Sequence, residues 1–332
     1  MTKTYAWWVP LLFAAGQAVA AESKTLCVYD PSGANGDAFN LAKDYRTAAT
    51  GWGAELTLKP YTDEKTASED FKGGKCDAVL LTGVRARNFN RFAGTVEALG
   101  AMPDYNAIGQ VIKTLASPKG GALLKGADYS VLGIFPAGSV FLFTTDKAID
   151  TVGKMAGKKI ATLEYDEAAK AMVRQVGASL VAADIGTFAG MFNNGSVDLC
   201  YAPTVAYKAL ELNKGIGKKG GIARYVLSQL TLQMVARTSA FSDDFATKSR
   251  QWSADNFDRM KAILEKADAA VPKDQWIEVP KEAREKYDQV FQEVRLRLRD
   301  SEKVYDKSML TLLRRVRCKA DAARAECSEQ KE

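Results

Sequence analysis

The sequence contains no histidine among its 332 residues. That absence excludes Ser-His-Asp and Cys-His catalysis, histidine-ligated zinc, HExxH proteases and the iron centres held by two histidines and a carboxylate. GxSxG and P-loop motifs are also missing, and no two cysteines form a CxxC pair. We therefore expect no enzymatic activity, no cofactor and no metal site. A function must be built from carboxylates, cations, hydroxyls, amides, aromatic rings and the backbone.

Long apolar runs are scarce as well. The run from Tyr5 to Ala15 has the length of a secretory signal core and is too short to span a bilayer. Lys3 precedes it, and Ala18-Val19-Ala20 provides the small-x-small pattern of a signal-peptidase site. We predict that residues 1–21 are a cleaved signal peptide, with a buried N-terminal helix as the alternative. The mature chain is then expected in the periplasm and outside the membrane itself.

The charge of the chain is only mildly positive. The whole sequence carries 46 cations and 40 anions, and loss of Lys3 with the signal peptide leaves 45 against 40, or +5. Nucleic-acid binding requires a stronger and more clustered excess of positive charge. We therefore expect no nucleic-acid partner.

The five cysteines all follow the predicted signal peptide, so they would reach an oxidising compartment. Cys318 and Cys327 could link the end of a helix to the chain that follows it. Cys27 and Cys76 lie in predicted strands that could be neighbours. Cys200 would then remain as a buried free thiol. A Cys₄ metal site is the alternative, although CxxC spacing is missing.

Two stretches of the chain repeat the same alternation of strand and helix signals. The first has apolar strands at 24–30, 55–61 and 76–83, with helices between them, and the second has strands at 158–163 and 197–203. In both stretches a helix capped by glycine leads into a strand that begins with Asp. Alternating strands and helices favour a parallel α/β sheet, and the repetition predicts two similar lobes.

Two further strand-like segments connect the predicted lobes. They lie near 129–145, which bends at Pro136-Ala137-Gly138, and near 225–236. We interpret both as hinge strands. Ligands of α/β sheets bind in the crevice at the carboxyl ends of the strands, so the gap between two hinged lobes is the predicted binding cleft.

The remaining residues, 237–332, are predicted to be helical. Trp252 to Ala269 has the pattern of one amphipathic helix, and apolar residues continue at helical spacing from Pro280 to Val316 without a breaker. We predict one long C-terminal helix that packs on both lobes. Its arginines, at positions 295, 297, 299, 314, 315 and 317, are interpreted as a solvated helix face.

The segment from Asp150 to Ile160 (DTVGKMAGKKI) resembles the start of the second lobe in TRAP-type (DctP-like) periplasmic solute-binding proteins. Gly177-Ala178 and the stretch from Phe188 to Asp198 are similar to later parts of that lobe. The likeness covers most of the mature chain and is closest to the divergent AdeT-like branch, some members of which are labelled efflux-associated. It implies an α/β, two-lobe fold of the type II periplasmic-binding-protein class, with lobes at 22–135 and 136–236.

The resemblance breaks at one functional position. The family usually carries an arginine directly after the Gly-Lys-Lys-Ile strand, where it pairs with a substrate carboxylate. Here that position is Ala161, and Glu164 follows nearby. The carboxylate-binding role therefore does not carry over, and the ligand is expected to be polar or cationic. Arg85 could replace the missing arginine, whereas Arg87 is interpreted as a surface helix residue.

We expect the ligand-binding residues at the strand ends and near the predicted hinge. They are Asp30, Ser32, Asn35, Thr82, Arg85, Ser139, Glu164, Tyr165, Tyr201, Pro203 and Tyr207. Glycines near the first three expose backbone N–H groups, and tyrosines offer both a flat apolar face and a hydroxyl. An ordinary Asp-Pro-Ser-Gly turn and ordinary core packing of Tyr201 are the alternatives.

Three functions are consistent with these features. The first is a periplasmic solute-binding protein that captures a small ligand by hinge closure and presents it to an inner-membrane transporter. The alternative is an efflux-associated envelope adaptor that works through its helical tail. An enzyme is the third, with Asp30 and Asp37 or Asp166 and Glu167 as acid and base. The first is the function that the sequence favours.

Overall fold

The computed structural model describes residues 22–332, and the predicted signal peptide lies outside this range. Within it, one nine-stranded sheet has the order β2-β1-β3-β8-β4-β7-β5-β6, with β9 paired to β8. The strands are β1 Glu22–Tyr29, β2 Ala54–Tyr61, β3 Ala78–Thr82, β4 Tyr129–Thr144, β5 Lys159–Leu163, β6 Ser179–Ala183, β7 Leu199–Pro203, β8 Gly221–Arg237 and β9 Trp276–Ile277.

The sheet consists of two parallel halves joined by an antiparallel pair. In the first half β1 pairs in parallel with β2 and β3, and in the second half β5 pairs in parallel with β6 and β7. Between the halves, β4 and β8 run antiparallel to each other. The C-terminal end of β8 pairs with β3 of the first half, and the C-terminal end of β4 pairs with β7 of the second half. Because β4 and β8 also pair with each other along most of their length, each of these two strands runs through both halves. This arrangement confirms the predicted two-lobe α/β fold.

Helices cover both faces of the sheet. Those of the lobes are α1 Asp37–Thr50, α2 Glu64–Lys72, α3 Gly83–Ala86, α4 Arg91–Gly94, α5 Tyr105–Ala116, α6 Pro118–Leu123, α7 Glu167–Gln175, α8 Phe188–Asn193, α9 Ala206–Ala209 and α10 Leu212–Ile216. Those of the tail are α11 Asp243–Asp255, α12 Phe257–Ala269, α13 Lys281–Asp300, α14 Lys307–Ala320 and α15 Ala325–Glu329. Because helices flank the sheet, β3 is buried along its whole length, which explains its continuous apolar run.

The tail is more interrupted than its apolar pattern predicts. The single helix predicted from Trp252 to Ala269 is wrong, because one helix ends at Asn256, whose Nδ2 donates to the Trp252 carbonyl at 2.9 Å, and another begins there. The long C-terminal helix predicted beyond Pro280 is confirmed as α13, but its uninterrupted continuation to Val316 is wrong. It stops after 20 residues at Asp300, and α14 begins only after a turn. The helix α13 packs against α7 of the second lobe, and α14 packs against α5 of the first.

Two disulfides form as the sequence predicts. Cys27 is bonded to Cys76, and Cys318 is bonded to Cys327. Cys200 is buried and free. Burial raises the pKa of its thiol well above the usual value, so this thiol is protonated and unreactive at neutral pH.

Part of the predicted basic helix face is buried and neutralised. Arg295 and Arg317 are each 1% exposed. Arg317 donates to both carboxylate oxygens of Glu326 at 2.7 Å, and Arg295 donates to the same residue at 3.0 Å. Both arginines also bond the side chain of Glu332. The interpretation of a fully solvated face is therefore wrong for these two arginines.

Candidate ligand-binding cleft

A cavity of about 100 Å³ lies where the two lobes meet. Residues at the carboxyl ends of β3, β5 and β7 line it, together with Val140 of β4 and with Ser228 and Leu230 of β8. Both lobes supply polar groups to its wall. They are Thr82, Arg87 and Glu97 from the first lobe, Tyr165, Asp166 and Tyr201 from the second, Ser228 from β8, and Tyr305 from the turn between α13 and α14.

A second cavity of about 70 Å³ continues from the first. The two share several lining residues, which are Leu99, Val140, Asp166, Tyr201 and Ser228. Beyond that boundary the wall is almost entirely apolar and is formed by the second lobe, α7 and α13. It includes Leu142, Met155, Ile160, Met172, Val173, Val176 and Phe291. Both cavities have mainly apolar walls, but the first also has Arg87, Glu97 and Asp166 in its wall. We call the first the polar chamber, for these charged groups, and the second the apolar chamber.

Glu97 is the most deeply buried acid of the polar chamber, with 5% of its surface exposed. Its Oε1 accepts hydrogen bonds from the Gly83 N–H at 3.1 Å and from the Thr231 N–H and hydroxyl at 2.6 and 2.7 Å. Within residues 22–332, Oε2 accepts no hydrogen bond. Burial raises the pKa of Glu97 to about 7, against the opposing effect of the Thr231 bonds.

Asp166 is the second acid of the chamber and belongs to the other lobe. It is 7% exposed, and its Oδ1 caps α7 by accepting from the Ala169 N–H at 3.1 Å. Burial raises its pKa, and the nearby positive charge of Arg87 partly offsets that effect. The Arg87 guanidinium donates twice to the Gly94 carbonyl at 3.3 Å and lies 5.1 Å from the centre of the Tyr305 ring.

A contact between the lobes borders the polar chamber. Glu64, which is 1% exposed, accepts at Oε1 from the Thr82 N–H and hydroxyl, both at 2.7 Å. Its Oε2 accepts from Arg85 Nε and from the Tyr165 hydroxyl, both at 3.0 Å. The Arg85 guanidinium also stacks 3.8 Å from the centre of the Tyr165 ring. We call this group the Glu64–Arg85–Tyr165 latch.

Two more tyrosine hydroxyls are fixed by backbone donors. Tyr201 accepts from the Leu163 N–H at 3.1 Å, and Tyr305 accepts from the Leu99 N–H at 3.2 Å. Burial raises the pKa of Tyr305 to about 12, so its hydroxyl keeps its proton at neutral pH. Ala161, at the position of the family arginine, forms part of the same wall.

The structure brings some of the sequence candidates to the cavity and not others. Those in its wall are Thr82, Tyr165, Tyr201 and Pro203. Arg85 lies beside it and is engaged by Glu64. Arg87, interpreted from the sequence as a surface residue, is half-buried and lines the polar chamber, so that interpretation is wrong.

The first-strand loop does not reach the cavity wall. The two oxygens of the Asp30 carboxylate accept from the Ser32 N–H at 2.8 Å and from the Phe39 N–H at 3.1 Å. Asp30 thus holds the loop against the start of α1. Ser32 and Asn35 are exposed on that loop.

Three other candidates also lie away from the cavity wall. Ser139 is buried in β4, and its hydroxyl accepts from Gln229 Nε2 at 2.9 Å. Glu164 is exposed to solvent. Tyr207 packs into the core of the second lobe.

Glu97 and Tyr305 were not identified from the sequence. Both lie in turns, where no strand end marks them. Glu97 did leave a signal, since it is the one charged residue between Arg91 and Asp104. An isolated acid in an apolar stretch indicates a buried carboxyl.

The comparisons with known proteins agree with this geometry. The profile of the family described as "Solute-binding protein AdeT 1/2" matches residues 46–332. The chain is 38% identical to "Probable solute-binding protein AdeT1" of Acinetobacter baumannii, over 91% of this chain and 99% of that protein. It is 24% identical to the AdeT2 protein of the same organism, over 70% of this chain and 98% of that protein.

Solved structures share the fold at low sequence identity. A TRAP periplasmic solute-binding protein from Ralstonia eutropha, with bound (S)-2-acetolactate, superimposes with a TM-score of 0.71 at 15% identity, covering 90% of this chain and 99% of that one. One from Desulfovibrio salexigens, with bound orotic acid, gives 0.69 at 12% identity, covering 90% and 99%. The profile match and the identity to AdeT1 show that this chain belongs to the AdeT 1/2 family of solute-binding proteins.

Proposed function

We propose that this solute-binding protein captures a small-molecule ligand in the polar and apolar chambers by closure of its two lobes. The observation that carries the proposal is the cavity wall, which is shared between Thr82 and Glu97 of one lobe and Asp166 and Tyr201 of the other. A ligand that contacts both walls stabilises the closed form more than the open form, and only this difference shifts the equilibrium. Val140 of β4 and Ser228 of β8 also line the cavity, and we propose that these two strands are the hinge about which the lobes close.

The proposal includes export to the periplasm and delivery of the ligand to an inner-membrane transporter. The N-terminal run of the sequence supports export, and the TRAP solute-binding structures of the same fold are periplasmic by name. Within residues 22–332, no helix is long and apolar enough to cross a bilayer. Mass spectrometry of the protein from a periplasmic extract tests this part, with a mature chain that begins near Glu22 as the expected result.

The proposed role is capture without catalysis. Of the acid pairs considered from the sequence, Asp30 uses both carboxylate oxygens to hold its own loop, and Glu167 is exposed and pairs with Lys170. The adaptor alternative is not supported, because the relatives are named for solute binding. Two arginines of the proposed tail surface, Arg295 and Arg317, are also buried.

Native mass spectrometry of freshly purified protein tests capture directly. We expect a small molecule that co-purifies, and addition of that molecule at about 100 times its Kd should raise the free energy of unfolding by about 2.7 kcal/mol. Ala161→Phe, which fills the chamber wall, should abolish the bound mass. Ala148→Phe on the exposed surface should retain it. Equal ligand retention by both variants would place the ligand outside the cleft.

A further inference from the structure

We propose that the cleft is built for an organic cation with an apolar chain, and not for the carboxylate that the related fold usually holds. The inference rests on the proposed capture function and names its ligand class. Glu97 and Asp166 approach the polar chamber from opposite lobes, and Glu97 presents an oxygen that has no hydrogen-bond partner among residues 22–332. A cation between the two lobes would interact with both acids at once.

The charge of the polar chamber favours a positive ligand. Arg87 is the one guanidinium in its described wall, and it is held by the Gly94 carbonyl and stands over Tyr305. Neither Glu97 nor Asp166 forms an ion pair with a cation in the part of the chain that the structure describes. Two carboxyl groups therefore face one guanidinium. Burial opposes ionisation of both carboxyls, and a bound cation would relieve this by replacing the lost solvation.

The tyrosines add a second kind of cation-binding surface. Tyr165, Tyr201 and Tyr305 line the same chamber as the acids. Arg85 covers one face of the Tyr165 ring and Arg87 lies near the Tyr305 ring, so Tyr201 is the ring of this set that has no guanidinium neighbour within residues 22–332. The face of an aromatic ring attracts an ammonium group, and the attraction is strongest where water is excluded. A metal ion fits less well, since residues 22–332 contain no group of three or more Asp, Glu, Cys or His side chains that could hold one. A tetraalkylammonium group could interact with the two carboxyl groups and with an aromatic ring at the same time.

The apolar chamber indicates that the ligand also has an apolar chain. It opens beside Asp166 and Tyr201 and is walled by residues such as Met172, Val173 and Phe291. An apolar chain attached to the cationic head would enter it and leave water. Burial of each methylene is worth about 0.8 kcal/mol, so affinity should rise about fourfold per methylene until the chamber is filled.

Calorimetric titration of the mature protein with three probes of equal chain length tests the ligand class. The probes are hexyltrimethylammonium, heptanoate and hexan-1-ol, each of which carries a hexyl chain. We expect the cation to bind about tenfold more tightly than either of the others, as the combined acid and ring contacts imply. Tighter or equal binding of heptanoate would overturn the cation class while leaving capture in the cleft intact. Failure of hexyltrimethylammonium to bind would also overturn it, and the co-purified mass remains a separate test of capture.

Substitutions in the cleft test whether the cation binds there. Glu97→Gln keeps an oxygen that can accept hydrogen bonds from the Gly83 and Thr231 donors. Glu97→Gln and Asp166→Asn, made separately, should each weaken binding of the cation about tenfold without changing the binding of hexan-1-ol. Glu285→Gln, exposed on α13, is the matched control and should change neither. Ala169→Leu, which narrows the apolar chamber, should remove the advantage of hexyltrimethylammonium over tetramethylammonium. Unchanged cation affinity in both acid variants would contradict the proposed site.

Discussion

Glu97 combines deep burial with three hydrogen bonds on a single carboxylate oxygen. The charges of Arg87 and Asp166 act on its pKa in opposite directions: Arg87 lowers it and Asp166 raises it. Burial dominates, and the pKa rises from 4.5 to about 7. Burial therefore keeps this carboxyl protonated to a higher pH than an exposed glutamate, so the charge of the chamber depends on pH.

Replacement of Glu97 by Gln should change how stability depends on pH. The raised pKa means that the folded state binds a proton more tightly than the unfolded state, so the wild type loses stability relative to Glu97→Gln as pH rises from 4.5 to about 7. The loss should reach about 3 kcal/mol and level off above that range. Urea unfolding of both proteins across this range measures it. A difference in unfolding free energy that is independent of pH would contradict the raised pKa.

The residues of the cleft were partly predictable. Thr82, Tyr165 and Tyr201 were identified because parallel strands end at the same edge of a sheet, so residues at or just after those ends converge. Glu97 and Tyr305 could not be identified in this way. Their positions depend on how two turns fold back over the sheet, and that arrangement is set by tertiary packing instead of by strand order.

At the scale of secondary-structure elements, the tail is tied to the cleft through buried ion pairs. Besides their bonds to Glu326, Arg295 donates to the Leu99 carbonyl at 2.8 Å and Arg317 donates to the Ala101 carbonyl at 2.9 Å. Leu99 lines both chambers. The C-terminal elements thus hold the loop that carries Glu97.

Arg317→Met should destabilise the protein by about 3–5 kcal/mol, because removal of one partner leaves buried carboxylates without their counter-charge. Arg315→Met, on the exposed side of the same helix, should change stability by less than about 0.5 kcal/mol. Burial opposes ionisation of Glu326, but its arginine partners lower the pKa to about 2. The wild type should therefore lose stability as pH falls below 4.5 towards 2. Chemical unfolding of the three proteins measures these effects, and equal losses in both variants would contradict the ion-pair account.

The bend in β4 depends on one glycine. Gly138 has φ +123°, and a Cβ there would lie 2.8 Å from the Pro203 Cβ of β7. We expect Gly138→Ala to destabilise the protein by about 1–3 kcal/mol, because the new Cβ would strain the backbone of β4 and clash with Pro203 of β7. Gly190→Ala on α8, where a Cβ meets nothing within 4 Å, should be neutral or stabilising. Thermal unfolding compares them, and equal melting temperatures would show that the bend tolerates a side chain.

The order of the elements was easier to predict than their breaks. Repeated strand–helix units predicted the parallel strands of the first half and two of the three in the second, because their apolar spacing is local and strong. The edge strand β6 was not predicted, since most of its residues are exposed and leave no buried apolar run. The break between α13 and α14 has weaker signals. Lys303 adopts a left-handed φ of 57°, and Asp306 caps the next helix through the Ser308 and Met309 N–H groups. No glycine or proline marks the break, so the apolar spacing alone predicted a continuous helix.

At the scale of the whole molecule, closure depends on contacts that cross the cleft. The Glu64–Arg85–Tyr165 latch is one of these, since Tyr165 follows β5 of the second lobe and its partners belong to the first. The hydroxyl bond ends on a buried carboxylate, and the ring covers the guanidinium. Both interactions are lost when the lobes separate, so the latch stabilises the closed form before any ligand adds its own contacts.

Tyr165→Phe and Tyr165→Ala should therefore open the ligand-free protein in two steps. Phe removes the hydrogen bond to Glu64, which is worth about 1.5–3 kcal/mol because the acceptor is charged, and Ala also removes the stacking on Arg85. We expect the radius of gyration from small-angle X-ray scattering to increase from wild type to Phe to Ala. Tyr207→Phe, a change within the core of the second lobe, should leave it unchanged.

The change in the radius of gyration on adding ligand shows whether the latch favours closure or is only a packing contact. If the latch biases closure, a saturating ligand restores the compact radius in both Tyr165 variants at a lower apparent affinity, since part of the binding free energy must now close the lobes. The loss should be about 10- to 150-fold for Phe, which is the hydrogen-bond free energy expressed as an affinity ratio. If the Tyr165 variants stay compact without ligand, β4 and β8 hold the lobes together without the latch. The latch would then have no part in closure.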